Sequence, residues 1–310
     1  LLSDIPMHRL LCGDVGFGKT EIAIRAVFLA FINNKKAIIL APTTILSQQL
    51  YTCFNDRLKA FGCKISQVSR LTKNNKAKFQ SFLLEKADVL IGTHSIIKNK
   101  EVLKKASLLV VDEEHRFGVK DKEKIIEVSP HCNFLSMSAT PIPRTLQFAL
   151  SGIRNISTLL TAPVERRPII TNSHFFSFKM IKNYILKELN RGGQIYFVDN
   201  SVDSLKKMFH YFQKELPNIK SSYLYGGMEK NNIKKTMNAF REKNLSILFS
   251  TTIIESGIDV SSANTIIINN AHMFGLSQLH QLRGRVGRSD IQSYAALFIP
   301  KNKKITKEGE

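Results

Sequence analysis

Short apolar runs alternate with amphipathic stretches along almost the whole chain, and this alternation constrains the fold more than any other feature. Runs at 10–12, 37–41, 89–91, 108–111 and 134–137 are strand-sized and uniformly apolar. Strands of that composition are buried on both faces, as in a parallel sheet covered by helices. Between them, 20–31 and 44–61 carry helical periodicity. The rhythm predicts an α/β fold with helices on both faces of a mainly parallel sheet. It breaks at 160–170, where Pro163, Pro168 and the run Glu165-Arg166-Arg167 predict a connector, because proline fixes φ and removes a donor. A second series follows, with strands expected at 194–198, 221–225, 246–250, 265–269 and 294–299, and helices at 178–190, 202–215 and 231–242. The 310 residues suffice for two cores, so we expect two units, 1–160 and 161–300, and a polar tail at 301–310. No short internal repeat is evident, and the halves are expected to share architecture rather than sequence.

Apolar residues make up 43% of the chain, which predicts a folded protein. No run approaches the roughly 20 apolar residues that span a bilayer. Residues 1–7 show no basic start followed by a long apolar stretch, so no secretory leader is expected. The first residue is Leu, which predicts a removed start or a piece of a longer protein. The formal net charge of +20 fits a polyanion partner, and it also fits a solvated basic surface in a chain rich in Lys, Asn and Ile. Cys12, Cys53, Cys63 and Cys132 form no Cys-x-x-Cys pair, and no His cluster has zinc-ligand spacing. Buried free thiols in a cytoplasmic, reducing setting are expected, with no disulfide and no cysteine metal site.

The strongest local signal is Gly13-Asp14-Val15-Gly16-Phe17-Gly18-Lys19-Thr20, a phosphate loop that follows an apolar strand and opens a helix. Gly13, Gly16 and Gly18 let backbone N–H groups turn onto phosphate oxygens, and the helix N-terminus adds partial positive charge. Lys19 is expected to reach the β- and γ-phosphates and Thr20 to ligate Mg²⁺. A second apolar strand delivers Asp112-Glu113-Glu114-His115 at its C-terminal end, where open α/β sheets bind ligands. Asp112 is the candidate Mg²⁺ partner, and Glu113 is the candidate base for the attacking water. These two motifs together predict an ATPase or GTPase, and no Asn-Lys-x-Asp signature for GTP is present. Further along come Ser138-Ala139-Thr140, then Gly257 and Asp259, and then Gln281-Leu282-Arg283-Gly284-Arg285-Val286-Gly287-Arg288. The last stretch reads either as a cationic surface or as a source of arginine fingers.

In this order the motifs resemble the superfamily 2 helicases and translocases, and more narrowly their RecG and Mfd branch. Phe17, Glu114 and the stretch 274–289 lean toward the Mfd, or transcription-repair coupling factor, family. The resemblance runs from about residue 7 to residue 300. It implies two tandem RecA-like domains with an ATP cleft between them and a sequence-independent track on duplex DNA, with ATP and Mg²⁺ as cofactors. It implies γ-phosphate contact by Arg285 and Arg288, nucleotide contact by Gln281, and linkage of nucleotide to DNA through Gly257 and Asp259. DNA-backbone contact falls to Pro42, Thr43, Thr44 and Gln48 and to Gly92, Thr93 and His94. Coupling falls to His115, Ser138, Ala139 and Thr140. Three features usual in the branch are not found: an adenine-sensing segment before Gly13, a translocation motif after Arg288, and modules for UvrA and RNA polymerase. Those two partners are therefore expected only through parts absent from this chain. A fork-remodelling enzyme of the RecG type and a non-catalytic ATP- or DNA-binding fragment are the competing readings.

Overall fold

The computed structural model describes residues 5–69, 75–139, 155–161, 167–252, 260, 262–287 and 290–301. The chain divides into two units, Leu1–Ala162 and Pro163–Glu310.

In the first unit, β1 (His8–Gly13), α1 (Lys19–Ile32), β2 (Ala37–Leu40), α2 (Thr44–Leu58), β3 (Ile65–Val68), α3 (Asn75–Leu83) and β4 (Val89–Gly92) follow in turn. They lead to α4 (Lys100–Lys104), β5 (Leu108–Val111), α5 (Val119–Val128), β6 (Asn133–Ser138) and β7 (Asn155–Leu159). The strands form one sheet in the order β3-β4-β2-β5-β6-β1-β7, and every pairing is parallel. Alternate side chains along each strand face opposite sides of the sheet. Ile39, Val110 and Leu135 pack with α1 and α2, while Ile38, Leu40, Leu109, Val111 and Phe134 pack on the other side with Phe82, Phe117 and Ile125.

The second unit repeats the plan with β8 (Ile170–Phe175), α6 (Phe178–Asn190), β9 (Gln194–Val198), α7 (Val202–Glu215), β10 (Ser221–Leu224) and α8 (Lys230–Arg241). β11 (Ile247–Ser250), β12 (Ala263–Ile268), α9 (Leu276–Arg283) and β13 (Tyr294–Ile299) complete it. The order β10-β11-β9-β12-β13-β8 is again all parallel. Taken in chain order, β8 to β13 occupy the places of β1, β2, β3, β4, β5 and β6, and β7 is an additional edge strand of the first sheet. Hydroxyl side chains start α6 and α7: Ser177 accepts from Met180 N at 3.4 Å, and Ser201 accepts from Ser204 N at 3.4 Å.

Three strands carry no clear signal in the sequence, β3, β7 and β8, and each lies at a sheet edge. Edge strands are less deeply covered, so Ile65-Ser66-Gln67-Val68 and Ile170-Thr171-Asn172-Ser173 retain polar residues that hide the apolar pattern. Ile170, read as the end of the connector, is the first residue of β8. Cys12, Cys63 and Cys132 are buried free thiols, but Cys53 is exposed on α2, contrary to expectation. Its helix turns that position to solvent, while Leu50, Phe54 and Leu58 face the core. Burial pushes the Cys63 and Cys132 thiols up to about 12. Among the described residues no helix is long and apolar enough to cross a membrane.

Candidate nucleotide and nucleic-acid site

Because every pairing in the first sheet is parallel, the loops after β1, β2, β4, β5 and β6 all leave from one edge. The sheet order then sorts the motifs. The phosphate loop follows β1, the Ser138-Ala139 segment follows β6, and the acidic turn follows β5. The Pro42-Thr43-Thr44 loop follows β2 and the Gly92-Thr93-His94 loop follows β4. β1 and β5 are separated by β6 alone, so phosphate loop and acidic turn start about 10 Å apart, room for a phosphate group and its metal between them.

The phosphate loop is shaped by its glycines. Gly16 and Gly18 have φ of 80° and 85°, left-handed conformations that side chains with a Cβ avoid. Gly13 is tightly enclosed, since a Cβ there would lie 2.9 Å from Leu159 Cβ. Lys19 Nζ donates to the Gly13 carbonyl at 2.5 Å and the Asp14 carbonyl at 2.8 Å, and Lys19 is 9% exposed. The ammonium thus sits inside the loop, which fits a phosphate group well. Thr20 is the second residue of α1, beside Lys19. Cys12 lies just before the loop. Burial raises its thiol pKa, the Glu114 carboxylate raises it further, and the Lys19 ammonium opposes both.

Asp112 N donates to Leu40 O at 2.9 Å, so the acidic turn is held to the adjoining β2. Glu113 N donates to Asp112 Oδ1 at 3.0 Å. Glu113 itself has φ 51° and ψ 54°, a left-handed backbone that costs a non-glycine residue about 1–2 kcal/mol. Arg116 N then donates to Glu113 O at 2.9 Å and Phe117 N to Glu114 O at 3.1 Å, closing a 3₁₀ turn. Among the described residues no group of three or more His, Cys, Asp and Glu could hold a metal ion. Thr20 and Asp112 are the residues that could hold a Mg²⁺ beside a bound phosphate.

Thr43 Oγ1 caps α2 by accepting from Leu46 N at 3.2 Å, so this predicted contact residue also has a structural task. Thr44 is partly exposed, and Gln48 is exposed one turn further along α2. Gly92 is buried, and a Cβ there would lie 2.4 Å from Val68 O and 2.7 Å from Ile96 Cδ1. Close approach of β3 and β4 therefore requires glycine at this position. Gly92→Ala should force the strands apart and cost about 3 kcal/mol of stability. Thermal unfolding of the first unit measures it, and an unchanged midpoint would contradict the packing argument. Ser138 and Ala139 are buried at the end of β6.

In the second unit Gln281 lies on α9 at 4% exposure and Arg285 follows the helix at 3%. Gly257, Asp259, Arg288, Thr140 and the side chain of His115 lie outside the described residues.

The two units also share one local turn. Asp112-Glu113-Glu114-His115-Arg116-Phe117-Gly118 after β5 and Asn269-Asn270-Ala271-His272-Met273-Phe274-Gly275 after β12 are the same turn. Asn270 has φ 52° and ψ 42°, close to Glu113, and each is followed by a 3₁₀ turn, Glu114–Arg116 or Ala271–Met273. Met273 N donates to Asn270 O at 2.9 Å, Phe274 N to Ala271 O at 3.1 Å and Asn269 N to Val198 O at 2.8 Å, matching the first unit bond for bond. The shared His-x-Phe-Gly is its signal in the sequence, but only three identical residues carry it. In the second copy amides replace the first two acids, and Ala271 stands in place of Glu114. Asn269 Nδ2 donates to Asp199 Oδ2 at 2.7 Å, and Asn270 Nδ2 lies 3.4 Å from both oxygens of that carboxylate. Asp199 also accepts from Ser201 N at 3.1 Å and Ser204 Oγ at 2.6 Å.

Comparison with known proteins agrees with this architecture. Residues 5–148 match the DEAD/DEAH box helicase family and residues 177–290 match the helicase conserved C-terminal domain. The paired domains make the chain a superfamily 2 helicase core of two RecA-like units. It is 43% identical over 99% of its length to the transcription-repair-coupling factor of Escherichia coli (strain K12), covering 27% of that protein. It is 44% identical over its whole length to the same factor of Buchnera aphidicola subsp. Baizongia pistaciae, covering 45% of that protein. RecG bound to a three-way DNA junction has a TM-score of 0.79 at 33% identity, over 97% of this chain and 41% of that one. The chain thus spans less than half the length of these relatives, and it is similar to a part of the transcription-repair-coupling factors.

Proposed function

We propose that this chain is the ATP-hydrolysing motor of a translocase that moves along duplex DNA without reading its sequence. The observation that carries this reading is the ordering of loops on one sheet edge: phosphate loop and acidic turn flank β6, and the two candidate backbone-contact loops continue from the acidic turn outward. The N–H groups of 13–20 receive the phosphates, and Lys19 exchanges the carbonyls of Gly13 and Asp14 for phosphate oxygens. Thr20 and Asp112 would hold Mg²⁺, which would supply positive charge against the phosphates. Glu113 orients and deprotonates the attacking water. Arg285 and Arg288 supply positive charge as the γ-phosphoryl group leaves, and Gln281, Gly257 and Asp259 link that step to the nucleic acid. Pro42, Thr43, Thr44, Gln48, Thr93 and His94 contact the DNA backbone, with Gly92 serving by its small size. Backbone contact positions a duplex and carries no sequence information. RecG, a DNA-bound relative at 33% identity, supports duplex DNA as the track. Engagement of RNA polymerase or UvrA would fall to other modules of a longer protein.

ATP turnover by the full chain, measured with and without duplexes of unrelated sequence at several salt concentrations, tests this. Turnover should rise equally with each duplex, and apparent DNA affinity should fall linearly in log–log form with salt as counterions are released. Lys19→Ala should abolish turnover. Turnover indifferent to DNA, or retained without the Lys19 ammonium, would sink the proposal.

A further inference from the structure

We propose that His94 is a positioning residue that transmits contact at the loop after β4 to the acidic turn after β5, by stacking on Phe117; this rests on the function proposed above. β4 and β5 are not neighbours, because β2 runs between them. Their loops start about 10 Å apart, and no ladder hydrogen bonds join the two strands. The His94 imidazole bridges that gap. Its ring lies 4.5 Å from the Phe117 ring, centroid to centroid, with 18° between the planes. Its Nε2 is 3.6 Å from Asp121 Oδ2 on the first turn of α5. His94 thus touches both ends of the segment that joins the acidic turn to α5.

The two rings differ in setting. Phe117 is 4% exposed and packed into the core beside Ile125 and Phe134. The His94 side chain remains 42% exposed. One face of the stack is therefore open to a ligand at the loop, while the other is fixed to the turn. Phe117 N donates to Glu114 O and Arg116 N to Glu113 O, so two hydrogen bonds tie Glu113 to Phe117 in one turn. Glu113 occupies a left-handed conformation with few neighbouring alternatives. A shift of the His94 ring pushes on Phe117, and the 3₁₀ turn carries the push to the residue proposed as base. Simple packing would call for an apolar ring at 94 rather than a half-exposed imidazole. A simple phosphate contact would not require it to lie flat on Phe117.

The experiment compares the full chain with His94→Ala and His94→Phe. ATP turnover is read without DNA and at saturating duplex, so that weaker DNA binding does not enter the ratio. Amide hydrogen exchange of residues 113–117 is followed as duplex is added. His94→Ala should lower the ratio of DNA-saturated to DNA-free turnover by roughly ten-fold, within the usual range for coupling between two sites. His94→Phe keeps the stack and should retain most of that ratio. Duplex should alter exchange at 113–117 in the parent and in His94→Phe, and leave it unaltered in His94→Ala. Equal loss in both variants, or an unchanged ratio in His94→Ala, would overturn the proposal. If the parent turns over no ATP, the proposed function fails by itself. The exchange readout then still decides, and the same DNA response in all three proteins would reject the stack as the route.

Discussion

Glu113→Gln is expected to bind ATP as the parent does while hydrolysing it about 10²–10⁴-fold more slowly, the usual contribution of a positioned general base. The substitution keeps side-chain length and most hydrogen bonding and removes the group that takes a proton from water. It also isolates chemistry from folding. Residue 113 has a left-handed backbone, and Gln and Glu share its conformational cost, so the thermal midpoint should not change. Glu113→Gly makes the contrast. It removes the same base and also relieves the left-handed strain, part of which is lost again to greater freedom of the unfolded chain. Turnover should fall in both variants, and stability should respond only in the glycine one. Steady-state hydrolysis, nucleotide titration and thermal unfolding of the three proteins check this. A Glu113→Gln variant that turns over ATP at the parent rate would remove Glu113 from the mechanism.

Arg288→Ala should lower the maximal rate by about 10³–10⁵-fold, the range seen when an arginine finger is lost, while ATP affinity changes far less. The asymmetry follows from when the charge is needed. Negative charge grows on the transferred group mainly in the transition state, so a guanidinium there stabilises that state more than the bound nucleotide. Arg288→Lys should rescue poorly, because a compact ammonium lacks the planar fork. Phosphate loop and acidic turn belong to the first unit and Arg288 to the second, so residues 1–160 alone should show little turnover. DNA-stimulated hydrolysis by the full chain sets the reference rate. An Arg288→Ala variant with unchanged maximal rate, or a first unit as active as the whole, would refute the assignment.

Most of the architecture is legible in the amino-acid sequence, and the reason lies in burial. Central strands such as Ala37–Leu40 and Leu108–Val111 are covered on both faces and read as unbroken apolar runs. The edge strands Ile65–Val68, Asn155–Leu159 and Ile170–Phe175 are less deeply covered and admit Ser, Thr, Gln and Asn. The phosphate loop and acidic motif are legible because their chemistry fixes residue types at fixed spacing. What is not legible depends on the third dimension. Gly92 looks like a loop contact, yet its size is set by Val68 O on the neighbouring strand. Thr43 looks like a ligand residue and also caps a helix. Phe117 carries no chemistry in the sequence and matters because His94, over twenty residues earlier, lies on its face. The twin turn at 269–275 is hard to read in the sequence because its likeness resides mainly in backbone angles.

The twin turn keeps its backbone but not its charge. One copy carries three carboxylates, the other two amides and an alanine. Acids would not be tolerated in the second copy. Asn269 Nδ2 donates to Asp199 Oδ2 at 2.7 Å, so an aspartate at 269 would set two carboxylates at hydrogen-bond distance. Like charges so close cannot both stay ionised, and one would be held protonated. A glutamate at 270 would meet the same carboxylate on its other side. Asp199 therefore favours amides over acids at 269 and 270. Losing it would leave the two asparagines and the start of α7 without their acceptor. The two turns share a backbone, yet they could not trade side chains as they stand.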